Sequence, residues 1–133
     1  MEAVARGATL AGATAYGITA PAVFSDRASA NVYITHERPE PDIVSRIGRL
    51  IESSAGSIAL WGSIGTAAEL IVAWNVAYVS QFSDAHRKPV IAVGEPWTTL
   101  IPTLERVLET QTGLVELVDS VDAAVERIAT LLQ

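Results

Sequence analysis

The sequence predicts an α/β fold in which helices cover both faces of a parallel sheet, built as a single domain over residues 1–133. Short apolar runs typical of buried strands alternate with longer segments whose apolar residues recur at helical spacing, which is the pattern of a parallel layer fold. A chain of this length can bury one core but not two. Hydrophobic residues make up 50% of it and charged residues 18%, which favours a folded chain over a disordered one.

The N-terminal part is predicted to contain two helices and two strands. Its second helix is inferred from apolar residues at helical spacing, and Pro41 suits a first turn. The apolar residues are Ile43, Ile47, Leu50 and Ile51. In chain order we predict a helix over Met1–Ala11 that ends near Gly12, a strand over Ala15–Thr19, a loop over Val23–Ala30, a strand over Asn31–Thr35 and a helix from Pro41 to about Ser54.

The C-terminal part is predicted to contain three strands and three helices. The first of these helices is expected to bury Leu70, Ile71, Trp74 and Ala77. In chain order we predict a buried strand over Ser57–Trp61, a tight loop over Gly62–Gly65, a helix over Thr66–Ser80, a polar turn over Ser83–Lys88, a strand over Pro89–Val93, a helix over Thr98–Glu109, a strand over Leu114–Val118 and a closing helix over Ser120–Leu132.

Composition excludes several classes of function. A net charge of −6 argues against nucleic acid as a partner, although backbone amides and one arginine suffice to hold a small phosphorylated ligand. No apolar stretch is long enough for a membrane span, and the first residues lack the basic start and apolar run of a signal peptide, so a cytoplasmic location is expected. The chain has no cysteine, and His36 and His86 stand alone as expected surface loop residues, so neither a disulfide nor a metal site is expected.

The segment Gly62-Ser63-Ile64-Gly65-Thr66 is the first candidate for a functional site. It joins a predicted strand to a predicted helix, where unpaired amides and the positive end of the helix dipole attract an anion. Glycines let the backbone approach a phosphate closely. The alternative is an ordinary strand-to-helix turn that contains two glycines. The segment is neither a dinucleotide-binding fingerprint nor a P-loop.

Leu60–Glu69 resembles the Pro-Gly-Gly-x-Gly-Thr-x-x-Glu motif of the LOG family, whose members are often described as lysine decarboxylase-like. Met1–Ala8 and Gly17–Thr19 resemble the family segment that follows its first glycine-rich loop. Arg46 stands at the distance where members carry an arginine before the motif, and Lys88–Val90 resembles the usual lead into the next strand. The resemblance spans nearly the whole chain and implies a Rossmann-like sheet.

Characterised LOG enzymes hydrolyse the N-glycosidic bond of nucleoside 5′-monophosphates to give the free base and ribose 5-phosphate. The resemblance implies that Glu69 is the catalytic carboxylate, which stabilises an oxocarbenium-like sugar or activates water, and that Arg46 holds the phosphate or ribose. It implies phosphate binding by the loop residues Gly62, Ser63, Gly65 and Thr66. It also implies a homodimer, and no cofactor is expected.

Each of these residues has a structural alternative. Thr66 and Glu69 have the spacing of a capping box, in which Glu69 reaches back to the Thr66 amide. Arg46 could be the solvated flank of its helix. Trp61 and Trp74 are expected in a core or an interface rather than in a platform for a base.

The sequence departs from the family pattern at three places. Trp61-Gly62-Ser63 replaces Pro-Gly-Gly, so the Ser63 side chain either donates its hydroxyl to the phosphate or obstructs it. Ala68 replaces an acidic residue, and Arg46-Ile47 replaces an Arg-Lys or Arg-Asn pair.

A further and larger departure is at the N-terminus, because Met1 aligns inside a family helix and two family strands have no counterpart. We expect a native product that begins upstream or a shortened, N-terminally truncated relative. Without those two strands, Ala15–Thr19 and Ser57–Trp61 would be separated or forced together. The apolar surface left behind would be covered by a second copy or a swapped element.

Three functions remain open from the sequence. The first is a nucleoside 5′-monophosphate phosphoribohydrolase, the second a non-catalytic nucleotide-binding or sensing domain, and the third a structural dimerisation module. Decarboxylation of lysine through pyridoxal phosphate is improbable, because it needs a Schiff-base lysine and the only lysine is Lys88, in a polar turn.

Overall fold

A computed structural model describes residues 2–23, 30–84 and 86–133. Parallel strands alternate with helices in it, which confirms the α/β, Rossmann-like fold class. The strands are β1 (Tyr16–Thr19), β2 (His36–Pro39), β3 (Ser57–Ala59), β4 (Val90–Val93) and β5 (Val115–Val118). The α-helices are α1 (Glu2–Leu10), α2 (Ile43–Glu52), α3 (Ile64–Val79), α4 (Trp97–Val107) and α5 (Val121–Leu131), and a short 3₁₀ helix (Ser80–Phe82) extends α3.

The contacts divide the chain into two compact units, Met1–Glu52 and Ser53–Gln133. We call them the N-terminal unit and the C-terminal unit. The first contains α1, β1, β2 and α2, and the second contains the remaining elements.

The N-terminal unit is built on the parallel pair of β1 and β2, with Tyr16 opposite His36. Thr35 fixes this pairing: its hydroxyl donates to the Ala15 carbonyl and accepts from the Ala15 amide, each at 2.8 Å. Gly17 allows a close approach, because a Cβ atom there would lie 2.9 Å from the Ile34 side chain. Among its described residues, those that are buried are few and mostly small: Ala5, Ala15, Gly17, Ile18, Ala20 and Ile51.

The predicted strand over Asn31–Thr35 is wrong, because this segment forms a turn and β2 begins at His36. The Asn31 side chain accepts a hydrogen bond from the Tyr33 amide and its carbonyl accepts one from the Ile34 amide, both at 3.0 Å. Asparagine side chains that bond the backbone two residues later stabilise turns in this way. Most of the loop predicted over Val23–Ala30 lies outside the described residues.

Helix α2 begins after Asp42 rather than in a first turn at Pro41. The Asp42 carboxylate accepts a hydrogen bond from the Ser45 amide at 2.8 Å, and its carbonyl accepts one from the Arg46 amide at 3.1 Å. The amide bond to Ser45 and a second bond from the Ser45 hydroxyl lower the pKa of Asp42 below its ordinary value. Asp42 is therefore the N-cap, and Pro41 only precedes it.

The C-terminal unit is a three-stranded parallel sheet in the order β3-β4-β5. Successive strand residues point to opposite faces, and Val90, Ile91 and Ala92 of the central strand are 3%, 0% and 0% exposed. Both faces of β4 are therefore covered, as parallel sheets require. The three helices α3, α4 and α5 each contact this strand.

Helix α3 buries a different set of residues from the predicted one. Leu70, Trp74 and Ala77 are buried as expected, but Ile71 is 44% exposed and Ala73 takes its place in the core. Apolar residues surround this helix on nearly all sides, so their pattern does not determine which side packs on the sheet. The strand before it is only half-buried and ends at Ala59, two residues short of Trp61. Among the described residues, no helix is long and apolar enough to cross a membrane.

Candidate functional site at the start of α3

The first turn of α3 has no side-chain cap. Ser63 is the N-cap residue, with φ −96° and ψ −168°, and its side chain accepts no hydrogen bond from the helix. The Ala67 amide bonds to the Ser63 carbonyl at 3.1 Å, so the amides of Ile64, Gly65 and Thr66 precede the first bond of the helix ladder. An anion at this point would meet these amides and the positive end of the helix dipole.

Gly62 and Gly65 have different environments in this loop. A Cβ atom on Gly62 would lie 2.2 Å from Oγ1 and 2.8 Å from Cβ of Thr66, so the fold requires a glycine there. A Cβ atom on Gly65 would meet no atom within 4 Å. Packing therefore accounts for Gly62 but not for Gly65, which lowers the helix propensity of the first turn.

The alternative interpretation of Thr66 and Glu69, a capping box that starts at Thr66, is contradicted by the position of the N-cap. Because Ser63 is the N-cap, Thr66 is the third residue of α3 and Glu69 lies in its second turn. Residues three apart are neighbours on a helix surface, so half-buried Glu69 follows Thr66 along one side of α3. Five of the six predicted site residues are thus brought together at this end of the helix.

Arg46, the sixth predicted residue, belongs to the N-terminal unit. It lies on α2, is half-buried, and its Nε donates a hydrogen bond to the Ile18 carbonyl at 2.9 Å. Ile18 is the third of the four residues of β1, so the bond lies near the carboxyl end of that strand. Arg46 is therefore not a solvated flank. Its neighbour Arg49 instead pairs with Glu40 at 2.9 Å and Glu52 at 3.0 Å.

The two tryptophans singled out in the sequence have opposite environments. Trp74 is buried in the core, as predicted, whereas Trp61 is 81% exposed beside Gly62. Ile64, the first residue of α3, is also exposed. Of the two positions expected for Trp61, a core or an interface, the exposed side chain leaves only the interface, which stays a prediction.

Two residues near the loop, Trp97 and Glu95, were missed by the sequence analysis. Trp97 is 1% exposed, and its indole N–H donates to the Leu60 carbonyl at 3.1 Å. Glu95 accepts hydrogen bonds from the hydroxyls of Thr98 and Thr99. The signal that could have found this turn is Gly94, which follows an apolar run in the sequence just as Gly62 does and has a φ of +61°.

The two histidines have no partners for metal binding among the described residues. His36 is exposed on β2, not in a loop as predicted, and its ring stacks on Tyr16 with a centroid distance of 5.0 Å. His86 is exposed. Within the described ranges, no three His, Cys, Asp or Glu side chains are grouped so that they could hold a metal ion.

Comparison with known protein families identifies the family of the chain. A family model described as "Possible lysine decarboxylase" matches residues 1–131 of the chain. No curated protein matches the chain.

Proposed function

The chain belongs to the LOG family, and we propose that it hydrolyses nucleoside 5′-monophosphates to the free base and ribose 5-phosphate. The observation that carries the proposal is the start of α3, where the amides of Ile64, Gly65 and Thr66 have no side-chain cap. This turn follows β3 at the carboxyl edge of a parallel sheet, where ligands of such folds bind.

In the proposed reaction, water adds across the N-glycosidic bond. The bond between C1′ and the base nitrogen breaks, a hydroxyl group is added to C1′, and a proton is added to the base. Glu69, one turn behind Thr66, stabilises the positive charge that develops on the sugar or removes a proton from the water. Arg46 is assigned to the phosphate or ribose by the family resemblance alone.

Lysine decarboxylation, which the family description names, does not fit this chain. Pyridoxal phosphate chemistry needs a lysine that forms a Schiff base at the site. The only lysine in the sequence is Lys88, which precedes the first residue of β4. It therefore lies at the amino edge of the sheet, whereas the Gly62–Thr66 loop lies at the carboxyl edge.

We also propose a homodimer that covers the apolar side of α3. Exposed apolar residues recur along this helix and its extension, mostly at separations of three, four or seven residues. They are Ile64, Ile71, Val72, Val76, Val79 and Phe82. An exposed helix surface that consists of such large apolar side chains has the composition of a protein interface.

A second candidate function is nucleotide binding without turnover. It is favoured by Ser63, whose exposed side chain stands where the family has glycine. A hydroxyl there can bind the phosphate and still displace it from the position that hydrolysis requires. A structural dimer is the third candidate, favoured by the exposed apolar residues of α3.

The test measures free base by chromatography after incubation with a panel of nucleoside 5′-monophosphates. We expect release by the wild-type chain and a loss of at least about 100-fold in Glu69→Gln, which removes a charge from the reacting centre. Glu126→Gln on α5 is the matched control, because Glu126 is exposed and outside the site.

Binding of the same nucleotides, measured by calorimetry, separates the three functions. Binding without release supports the second candidate. If the folded chain neither binds nor cleaves any member of the panel, the nucleotide proposal is wrong and the structural dimer is favoured.

A further inference from the structure

Glu95 and the Gly62–Thr66 loop lie on the same side of the C-terminal sheet, where the parallel strands have their carboxyl ends. Strands β3 and β4 are parallel, with Ala59 opposite Ala92. Strand β3 ends at Ala59 and β4 ends one residue further on, at Val93, so Gly62 and Glu95 both follow strand ends on the same side of the sheet. Neighbouring strands are about 4.8 Å apart, so the two turns begin side by side.

A buried anchor fixes the turn that carries Glu95. The Trp97 indole donates its hydrogen bond to the carbonyl of Leu60, the residue after the end of β3. Trp97 is fully enclosed, so this bond is shielded from competing water. The position of Glu95 relative to the Gly62–Thr66 loop is therefore set by a core contact rather than by a free surface turn.

The Glu95 carboxylate is oriented but does not cap α4. Both hydroxyl donors, Thr98 and Thr99, bond to its Oε1 atom, the second at 3.2 Å. The first amides of α4 already have backbone acceptors, since Trp97 and Thr98 bond to the Gly94 carbonyl at 3.0 and 3.3 Å. In the part of the chain that the structure describes, Oε2 has no hydrogen-bond partner. The carboxylate is thus exposed, held in place and able to accept further hydrogen bonds.

We propose that Glu95 accepts hydrogen bonds from the ribose hydroxyls of the bound nucleotide and selects ribonucleotides over 2′-deoxyribonucleotides. The inference rests on the proposed function. In dinucleotide-binding folds the phosphate lies at the start of the helix after one strand, and an acidic residue after the neighbouring strand binds the ribose. This chain has the same arrangement: the Gly62–Thr66 loop and α3 follow β3, and Glu95 follows the neighbouring strand β4. An ionised carboxylate only accepts hydrogen bonds, so its partner must be a donor such as a hydroxyl.

The test compares affinities of the full chain for AMP and GMP with those for their 2′-deoxy forms. We expect the wild type to prefer the ribonucleotide, and we expect Glu95→Gln to lose about tenfold to 100-fold of that preference, the usual effect of a hydrogen bond to a charged group. Glu126→Gln serves again as the control and should keep the wild-type ratio. Thr98→Val with Thr99→Val, which leaves the carboxylate but removes its two donors, should cause a smaller loss in the same ratio.

The outcomes separate this inference from the proposed function. A wild-type chain that binds both sugars equally, or a Glu95→Gln variant that keeps the full preference, overturns the role of Glu95 and leaves the proposed function intact. A chain that neither binds nor cleaves any nucleoside 5′-monophosphate of the wider panel overturns both.

Discussion

Strands β4 and β2 show how differently the two units are packed. Three of the four residues of β4 are buried, and three helices contact the strand. All four residues of β2 are exposed, and it pairs only with β1 among the described strands. The C-terminal unit thus has a core covered on both faces of its central strand, whereas the N-terminal unit relies on a few small apolar residues. The candidate phosphate loop belongs to the better-covered unit, where a rigid sheet holds it in place.

The largest predicted effect comes from the same substitution made in both units. Ile101→Ala in α4 should lower the free energy of unfolding by about 3–5 kcal/mol, because the side chain is fully buried and leaves a cavity. Ile51→Ala in α2 should lower the free energy of unfolding by about 2–3 kcal/mol, because the smaller core of the N-terminal unit can collapse into the cavity. Urea denaturation monitored by circular dichroism measures both changes.

The exposed Val125→Ala on α5 is the control and should change stability by less than about 0.5 kcal/mol. If Ile51→Ala and Ile101→Ala lowered the free energy of unfolding equally, the two units would be packed equally well. That result would contradict the difference inferred from β2 and β4.

A second pair of substitutions separates the two glycines of the loop. Gly62→Ala should destabilise the chain by about 1–3 kcal/mol, because its Cβ atom collides with Thr66. Gly65→Ala should be neutral or stabilising by up to about 1 kcal/mol, because the new methyl group meets open space and alanine favours a helix. Under the proposed function, however, Gly65→Ala weakens nucleotide binding, since the methyl group stands where the phosphate approaches.

Thermal unfolding and nucleotide titration of both variants test this prediction. The control is Gly7→Ala in α1, where an added methyl group also meets no atom within 4 Å. It should stabilise the chain without changing binding. A Gly65→Ala variant that binds nucleotide as tightly as the wild type would show that this glycine has no role at the site.

The smallest predicted effect is pH-dependent and belongs to the N-terminal unit. The pKa of Asp42 is lower in the folded chain than its ordinary value of 3.8, because the amide and hydroxyl of Ser45 bond to the ionised carboxylate. The stabilisation is therefore present above that value and is lost as the pH falls through the lower pKa of the folded state. Asp42→Ala should reduce stability by a modest amount that stays constant between about pH 5 and about pH 8, where the carboxylate is ionised in both states.

Below about pH 4 the wild type and Asp42→Ala should converge in stability. The measurement is the free energy of unfolding of both chains as a function of pH. A difference that persists unchanged down to about pH 3 would mean that the carboxylate does not act through its charge.

The local pattern of the sequence determined the element order and the place of the loop. Alternating strand and helix segments predicted the α/β class, and the boundaries of β4, β5 and α5 lie within two residues of the predicted ones. The start of α5 follows directly from Ser120, whose hydroxyl accepts a hydrogen bond from the Ala123 amide at 3.1 Å. These features depend on neighbours in the chain, so a single sequence records them.

The tertiary structure alone decided which sides of the elements are buried. Helix α3 is apolar all round, so only packing on the sheet selected Ala73 over Ile71 for the core. The bond from Trp97 to Leu60 joins residues 37 positions apart and aligns Glu95 with the Gly62–Thr66 loop. Such contacts depend on strand register and on the fit of distant side chains, which residue spacing along the chain does not encode.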